Sequence, residues 1–294
     1  MEDNEIKLLP ITEDFTFKRV FSYEGNEDVL IDLLEAILEI KIKWVKVKNP
    51  EILPRKKGNK KAILDIKAEI DDGSIIDIEM QAQDKKDTEE RASTYLTMIT
   101  SEILESGEEY NRLRKVIVIE ILNYENYRIN GYHHISKMMF EPTDRKAYVD
   151  MGYKKEDKIA SRFLEMHFIE LPKYRKKMPE MKTKLDEWMY FFSGNKEGIE
   201  MAIKKNSKIK KAFETIKMLS LSPKEREMYD AIKVEKFLEN VGKENVRKEA
   251  MSEGEKSREI EIVRKMLQRG DKIKDIIDVT GLTKEEIEKI KREE

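Results

Sequence analysis

An α/β fold built on a mixed sheet is what the sequence predicts, and three observations predict it. A hairpin at residues 63–81 alternates apolar and polar side chains on both arms, residues 115–122 (KVIVIEIL) form a nearly unbroken β-branched run, and amphipathic helical stretches flank the hairpin. Taken in order, residues 26–40 (NEDVLIDLLEAILEI) place Val29, Leu30, Leu33, Leu34, Ile37 and Leu38 on one helical stripe. Residues 42–47 (IKWVKV) are short and β-branched and read as a strand; Pro50 and Pro54 break the chain, and residues 56–61 make a basic loop. Beyond the hairpin, Asp87-Thr88-Glu89-Glu90 reads as a capping box opening a helix through Ala92, Tyr95, Leu96, Ile99, Ile103 and Leu104, which Gly107 can end. The run at 115–122 has the pattern of a strand covered on both faces, in the middle of a sheet. The order is α, β, β, β, α, β.

Residues 168–171 read as a further strand, and residues 181–240 as helices interrupted near Gly194, Ser207 and Pro223. Residues 239–258 are polar and charged enough for a linker or a frayed helix. Three short helices follow, at 257–268, at 273–279 and after Thr283-Lys284-Glu285-Glu286, and with the Thr280-Gly281-Leu282 turn they resemble a helix-turn-helix unit. The division expected is 1–225, carrying the sheet and its helical additions, and 226–294, a charged helical linker with the small terminal unit.

The hairpin carries the chemistry. With a three-residue loop, Asp71-Asp72-Gly73, closing in the left-handed conformation at Gly73, Ile70 pairs with Ser74 and Asp65 stands opposite Glu79. Leu64, Ile66, Ala68, Ile76, Ile78 and Met80 then share an apolar face; Asp65, Lys67, Glu69, Asp77, Glu79 and Gln81 share an ionic one. Opposed like charges destabilise a sheet, so a divalent cation is one candidate to offset them. The competing reading is a half-buried hairpin that shows its charges to water, with Lys67 neutralising a neighbour.

Composition excludes several classes. The 294 residues hold 58 basic and 60 acidic side chains, a net charge of −2, so no global field steers the chain to nucleic acid and any such binding must be local. Charged residues make up 40 % and apolar and aromatic ones 39 %, the balance of a folded, well-solvated protein. The absence of cysteine removes disulfides, thiolate catalysis and Cys-type metal sites, and fits a cytoplasmic location. No apolar run approaches the roughly 20 residues needed to span a bilayer, so no membrane partner is expected.

Several stretches together resemble a known family. They are Asp14-Phe15-Thr16-Phe17-Lys18-Arg19-Val20-Phe21, Leu33-Leu34-Glu35-Ala36-Ile37-Leu38, Asn49-Pro50-Glu51-Ile52-Leu53-Pro54, Leu64-Asp65-Ile66, Ile78-Glu79-Met80-Gln81, the Arg91 to Tyr95 stretch, His167-Phe168-Ile169-Glu170-Leu171-Pro172 and Thr280-Gly281-Leu282-Thr283. In this order they resemble the recombination-promoting nuclease or transposase family of the PD-(D/E)XK nuclease superfamily. The resemblance implies a restriction-endonuclease-like αβββαβ core, agreeing with the order read above, plus an appended helical C-terminal region. It also implies a Mg²⁺-dependent (or Mn²⁺-dependent) endonuclease hydrolysing DNA phosphodiester bonds in transposition or recombination, with Asp65 and Glu79 as metal ligands. Gln81 stands where the superfamily has a lysine; it can orient a water but supplies neither positive charge nor a base. That departure keeps open a catalytically weak or inactive nuclease fold that binds DNA, and nothing in the sequence separates DNA from RNA.

Around this trio, Lys67 could supply the missing charge or pair with Asp77 or Glu69; Asp14 with Lys18, Arg91 with Tyr95, and Glu35 are further candidates to line the site. Two basic clusters, at 172–177 and 204–211, could track a phosphate backbone or be solvated faces. His133 and His134 point apart in any regular element and His167 is distant in sequence, so no zinc site is expected. A homodimer is expected only if both strands of a duplex are cut.

Overall fold

Packing of the strands explains why both arms of the hairpin avoid water. The computed structural model describes residues 8–52, 62–103, 109–138, 162–177 and 181–292, with side chains also left undescribed at 236–257. Pro54, the basic loop at 56–61, Leu104 and Gly107 lie outside the described residues. The chain divides into two compact units, residues 1–226 and 227–294.

In the first unit, α1 (Asp14–Phe21) and α2 (Glu27–Leu38) precede the strands. Acidic Asp14 in the first turn and basic Lys18 and Arg19 in the last suit the helix dipole of α1, which buries Phe15, Phe17, Val20 and Phe21. Six strands then form one mixed sheet: β1 (Val45–Val47), β4 (Ile66–Ile70), β5 (Ile75–Gln81), β6 (Val116–Leu122), β8 (Leu164–Glu170) and β7 (His133–Lys137), in that spatial order. The pairs β1–β4, β4–β5 and β7–β8 are antiparallel; β5–β6 and β6–β8 are parallel. A separate two-stranded ribbon joins β2 (Glu51–Ile52) to β3 (Ala62–Ile63). As the β-branched run predicts, β6 is central and every one of its residues is buried.

Helix α3 (Thr88–Ile103) lies on β6 and packs Ala92, Leu96 and Ile99 against Ile75, Val116, Val118 and Phe168. The opposite face of the hairpin, with Ile66, Ala68, Ile70, Ile76, Ile78 and Met80, is equally buried, toward the layer of α1 and α2, which contact β5 and β1. Short α4 (Leu171–Lys177) and the helices α5 (Lys184–Phe192), α6 (Lys196–Lys205) and α7 (Ser207–Leu221) extend that layer; Trp188, Phe191 and Phe192 of α5 and Phe17 and Phe21 of α1 form one ring cluster. The breaks expected near Gly194, Ser207 and Pro223 are present, and the side chains of Asn195 and Asn206 cap α6 and α7.

In the second unit, α8 (Pro223–Arg269), α9 (Ile273–Thr280) and α10 (Lys284–Arg292) gather Val263, Met266, Ile276, Ile287 and Ile290 into a small core. Gly281, at φ +74°, ends α9, and Thr283 and Glu286 exchange the two hydrogen bonds of the expected capping box at the start of α10.

Several expectations are corrected. The strand at 42–47 is confined to Val45–Val47. Of the two readings of residues 239–258, linker or frayed helix, the backbone takes the helical one: α8 is helical from Pro223 to Arg269 and merges with the helix expected at 257–268. The strand expected at 168–171 begins earlier, at Leu164, and Leu171-Pro172 opens α4, because proline is well suited to a first helical turn. Strand β7 was not expected at all. Finally, the arm expected to run unbroken from 63 to 70 is interrupted: Leu64 N donates to Pro50 O (3.0 Å), Leu64 packs with Ile75 rather than on the face of Ile66, and β4 starts only at Ile66.

Candidate metal centre

That interruption builds the site. The hairpin register is the one expected: Ile66 faces Ile78, Lys67 faces Asp77, and Ile70 N donates to Ser74 O (3.1 Å) across a turn whose Gly73 has φ +84°. One step beyond the paired residues, Asp65 and Glu79 interlock. Asp65 N donates to Glu79 Oε1 (2.8 Å), and Met80 N, left without a ladder partner by the departure of Leu64, donates to Asp65 Oδ2 (2.9 Å). The two carboxylates are therefore held side by side through backbone N–H groups.

Each also has a cation from a helix. Lys18 Nζ of α1 lies 2.9 Å from Asp65 Oδ1 and 2.9 Å from Asp14 Oδ1. Arg91 of α3 stands 3.7 Å from Glu79 Oε2 and donates to Tyr95 Oη (3.2 Å). Gln81 Nε2 donates to the same Glu79 oxygen (3.2 Å). Asp65, Glu79 and Gln81 are thus one constellation, with Asp14, Lys18, Arg91 and Tyr95 around it.

Other candidates fall elsewhere. Lys67 pairs with neither Asp77 nor Glu69; its ammonium reaches Glu102 Oε2 of α3 (2.6 Å). Glu35 accepts from Ile42 N (3.1 Å) and pairs with Lys184 (3.2 Å), fastening the chain after α2. In the basic clusters, Lys173 donates to Tyr127 O and Ile129 O, Arg175 to Asn123 Oδ1 and Phe192 O, and Lys208 and Lys211 to Asp28, so these side chains have structural partners. The histidines are not dispersed: His133 Nε2 is 2.9 Å from His167 Nδ1, because β7 lies beside β8.

The reading of the ionic face as solvent-exposed is overturned. Helix α3 covers it, leaving Asp77 0 %, Glu79 2 % and Lys67 7 % exposed. A fourth carboxylate joins them that the sequence reading did not single out: Glu120 of β6, register partner of Glu79 and 1 % exposed. Its signal was available, since Glu120 is the one charged residue inside the apolar run 116–122. Both oxygens of Asp77 and both of Glu120 are buried without a hydrogen-bond partner. An unpaired buried carboxylate costs several kcal/mol, so it retains a proton or meets a cation. Accordingly burial, then the charges of Asp77 and Asp65, push Glu79 well above its ordinary range; burial, then Glu120 and Asp65, do the same to Asp77. Burial lifts Glu120 to about 8 against the pull of Arg91. Asp65 is raised by burial and by Asp14, with Lys18 opposing.

The donor set fits a hard divalent ion. Among the described residues no three His, Cys, Asp or Glu side chains converge into a ligand cage. Mg²⁺ does not require one: it is commonly held by one or two carboxylates, with waters and substrate phosphates completing the shell. Hard oxygens beside unbalanced buried negative charge suit it, whereas the His133–His167 pair offers no such excess.

A helix-flanked mixed sheet with two interlocked acids on a kinked hairpin defines a nuclease-like α/β protein. The family model of the PD-(D/E)XK nuclease family transposases matches residues 11–244, and the chain belongs to that family. Its members generally use divalent metals, and membership of this nuclease family implies DNA as substrate. No curated protein and no solved structure shows a significant match to the chain. No helix among the described residues is long and apolar enough to cross a membrane.

Proposed function

We propose that the chain is a Mg²⁺-dependent DNA endonuclease acting in transposition or recombination, with Asp65 and Glu79 as metal ligands and Gln81 orienting the attacking water. The observation that carries this reading is the interlocked Asp65–Glu79 pair set beside buried carboxylates, Asp77 and Glu120, whose oxygens have no hydrogen-bond partner. When bound, the ion would lower the pKa of a water and offset charge on the phosphate. The chain supplies the rest. Asp65 and Glu79 are held side by side by backbone N–H groups. Gln81 is anchored through its amide nitrogen on Glu79, and its carbonyl oxygen is of the type that accepts a hydrogen bond from water. In the net reaction water adds to phosphorus, one P–O ester bond breaks, and the leaving oxygen departs as an alcohol with a proton. Mn²⁺ is expected to substitute. The activity is assigned to residues 1–225, with 226–294 aiding DNA binding or assembly, in the cytoplasm; cutting both strands would call for a homodimer.

The test is nicking of supercoiled plasmid by the purified full chain. Mg²⁺-dependent nicking that vanishes in Asp65→Ala supports the assignment; a wild type that never nicks under Mg²⁺ or Mn²⁺ rejects it. That second outcome favours a nuclease fold retained for DNA binding, a reading motivated by Gln81 in place of a lysine.

A further inference from the structure

A phosphoryl-transfer site lacking a lysine beside its acids needs positive charge from somewhere else, and three cations stand near enough to supply it. Lys67 is nearest in sequence, but its side chain is buried and its ammonium is held by Glu102. Arg91 is longer-ranged, 3.7 Å from Glu79, and its guanidinium donates to Tyr95 Oη. Lys18 differs from both. Its ammonium makes direct contact with Asp65 at 2.9 Å, bridges to Asp14 at 2.9 Å, and its side chain remains 33 % exposed.

An ammonium has three donors. Asp14 and Asp65 lie within ion-pair distance of it, and the side chain keeps enough exposure for an incoming acceptor to reach it. The bridge fixes the ammonium next to the same carboxylate that would hold the ion, so a phosphate reaching the ion also meets Lys18.

We propose that Lys18, delivered by α1 rather than by the hairpin, is the catalytic cation of the site: it takes the electrostatic role that Gln81 cannot fill and donates a hydrogen bond to the scissile phosphate. The inference rests on the reading of Asp65 and Glu79 as the cation-holding pair. Asp14 is then a positioning residue, which orients the ammonium from one helical turn away.

The experiment compares wild type, Lys18→Gln, Lys18→Arg and Asp65→Asn as full chains, measuring kcat and KM for plasmid nicking in Mg²⁺ and Mn²⁺ binding by calorimetry. Loss of one preorganised donor to the transition state lowers kcat by about 10²–10³-fold. Lys18→Gln should show that loss in kcat, with KM and Mn²⁺ affinity within about threefold of wild type, and Lys18→Arg should recover at least a tenth of the activity. Because the chain has no cysteine, Lys18→Cys offers a second route: aminoethylation of the folded variant rebuilds an ammonium at this one position and should restore cutting. Wild-type kcat in Lys18→Gln, with Asp65→Asn inactive, overturns this inference alone. Cutting and Mn²⁺ affinity that fall together in Lys18→Gln reduce Lys18 to a support for Asp65 and also overturn it. A wild type that neither binds Mn²⁺ nor nicks overturns both readings.

Discussion

Two clusters of buried charge sit on the same sheet, and they are built oppositely. At the β7–β8 edge every carboxylate has its donors. Glu165 meets Lys115 (2.8 Å), Lys137 (3.3 Å) and His167 Nε2 (2.7 Å), while Glu170 accepts from Asn126 N, Tyr127 N, His134 and Lys173. Although burial works the other way, His167 and Lys115 hold Glu165 well below the ordinary carboxylate range. On β5 and β6, by contrast, Asp77 and Glu120 have no donors, and together with Glu79 they sit above that range. A satisfied network stabilises a fold; an unsatisfied one persists where something outside the chain completes it.

The largest expected effect lies at the two interlocked acids beside the unsatisfied carboxylates. Asp65→Asn or Glu79→Gln should reduce nicking by at least about 10³-fold while leaving the fold intact, because each removes charge from a place already overloaded with it. Circular dichroism alongside the nicking assay checks both halves. A variant that unfolds instead would make these acids part of the scaffold and dissolve the contrast.

In the satisfied cluster the outcome reverses. Glu170→Ala strips a partner from two backbone N–H groups and from Lys173 and should destabilise by roughly 3–5 kcal/mol in urea unfolding, with cutting per folded molecule unchanged.

Acidity sharpens the comparison. Glu120 is raised from 4.5 to about 8, so without metal the folded state holds a proton that the unfolded state releases. Stability should therefore be fully present below about pH 4.5 and decline as pH rises toward 8. The full shift would correspond to at most about 5 kcal/mol, and relaxation of the site should leave roughly half. Glu120→Gln should flatten this slope in EDTA. Added Mg²⁺ should oppose the decline, since it binds the ionised form. A wild type whose stability rises over this window would show Glu120 to be paired after all.

The smallest effects belong to the exposed lysines. Lys208→Ala and Lys211→Ala each remove one of the two lysines paired with Asp28 at a solvent-screened position and should change stability by less than about 1 kcal/mol. The salt dependence of DNA binding should barely change, because these ammonium groups already have partners in the chain.

Local pattern revealed the sheet and the pair at its heart. The hairpin register followed from the turn Asp71-Asp72-Gly73, and the central place of β6 followed from a run too apolar to face water on either side. Burial of the ionic face was invisible, because alternation distinguishes two faces without saying whether a distant helix such as α3 will cover the polar one. The kink at Leu64 depends on a hydrogen bond to Pro50 in another segment, and without it Asp65 would be an ordinary strand residue. Lys18 was a helix-surface candidate in sequence; its meeting with Asp65, 47 positions later, is a tertiary fact. Strand β7 escaped because its short HHISK stretch is partly exposed and carries no apolar period. Glu120 was legible and overlooked: a lone acid in a buried strand demands an explanation.

The central claim is that Asp65 and Glu79 jointly hold the catalytic cation. Crystals of the full chain soaked in Mn²⁺ and measured at the manganese edge test it most directly. The account predicts one anomalous peak within roughly 2.0–2.6 Å of oxygens from both carboxylates, absent in Asp65→Asn. A peak held by other residues, or no peak in crystals of a protein that cuts DNA in Mn²⁺, would contradict it.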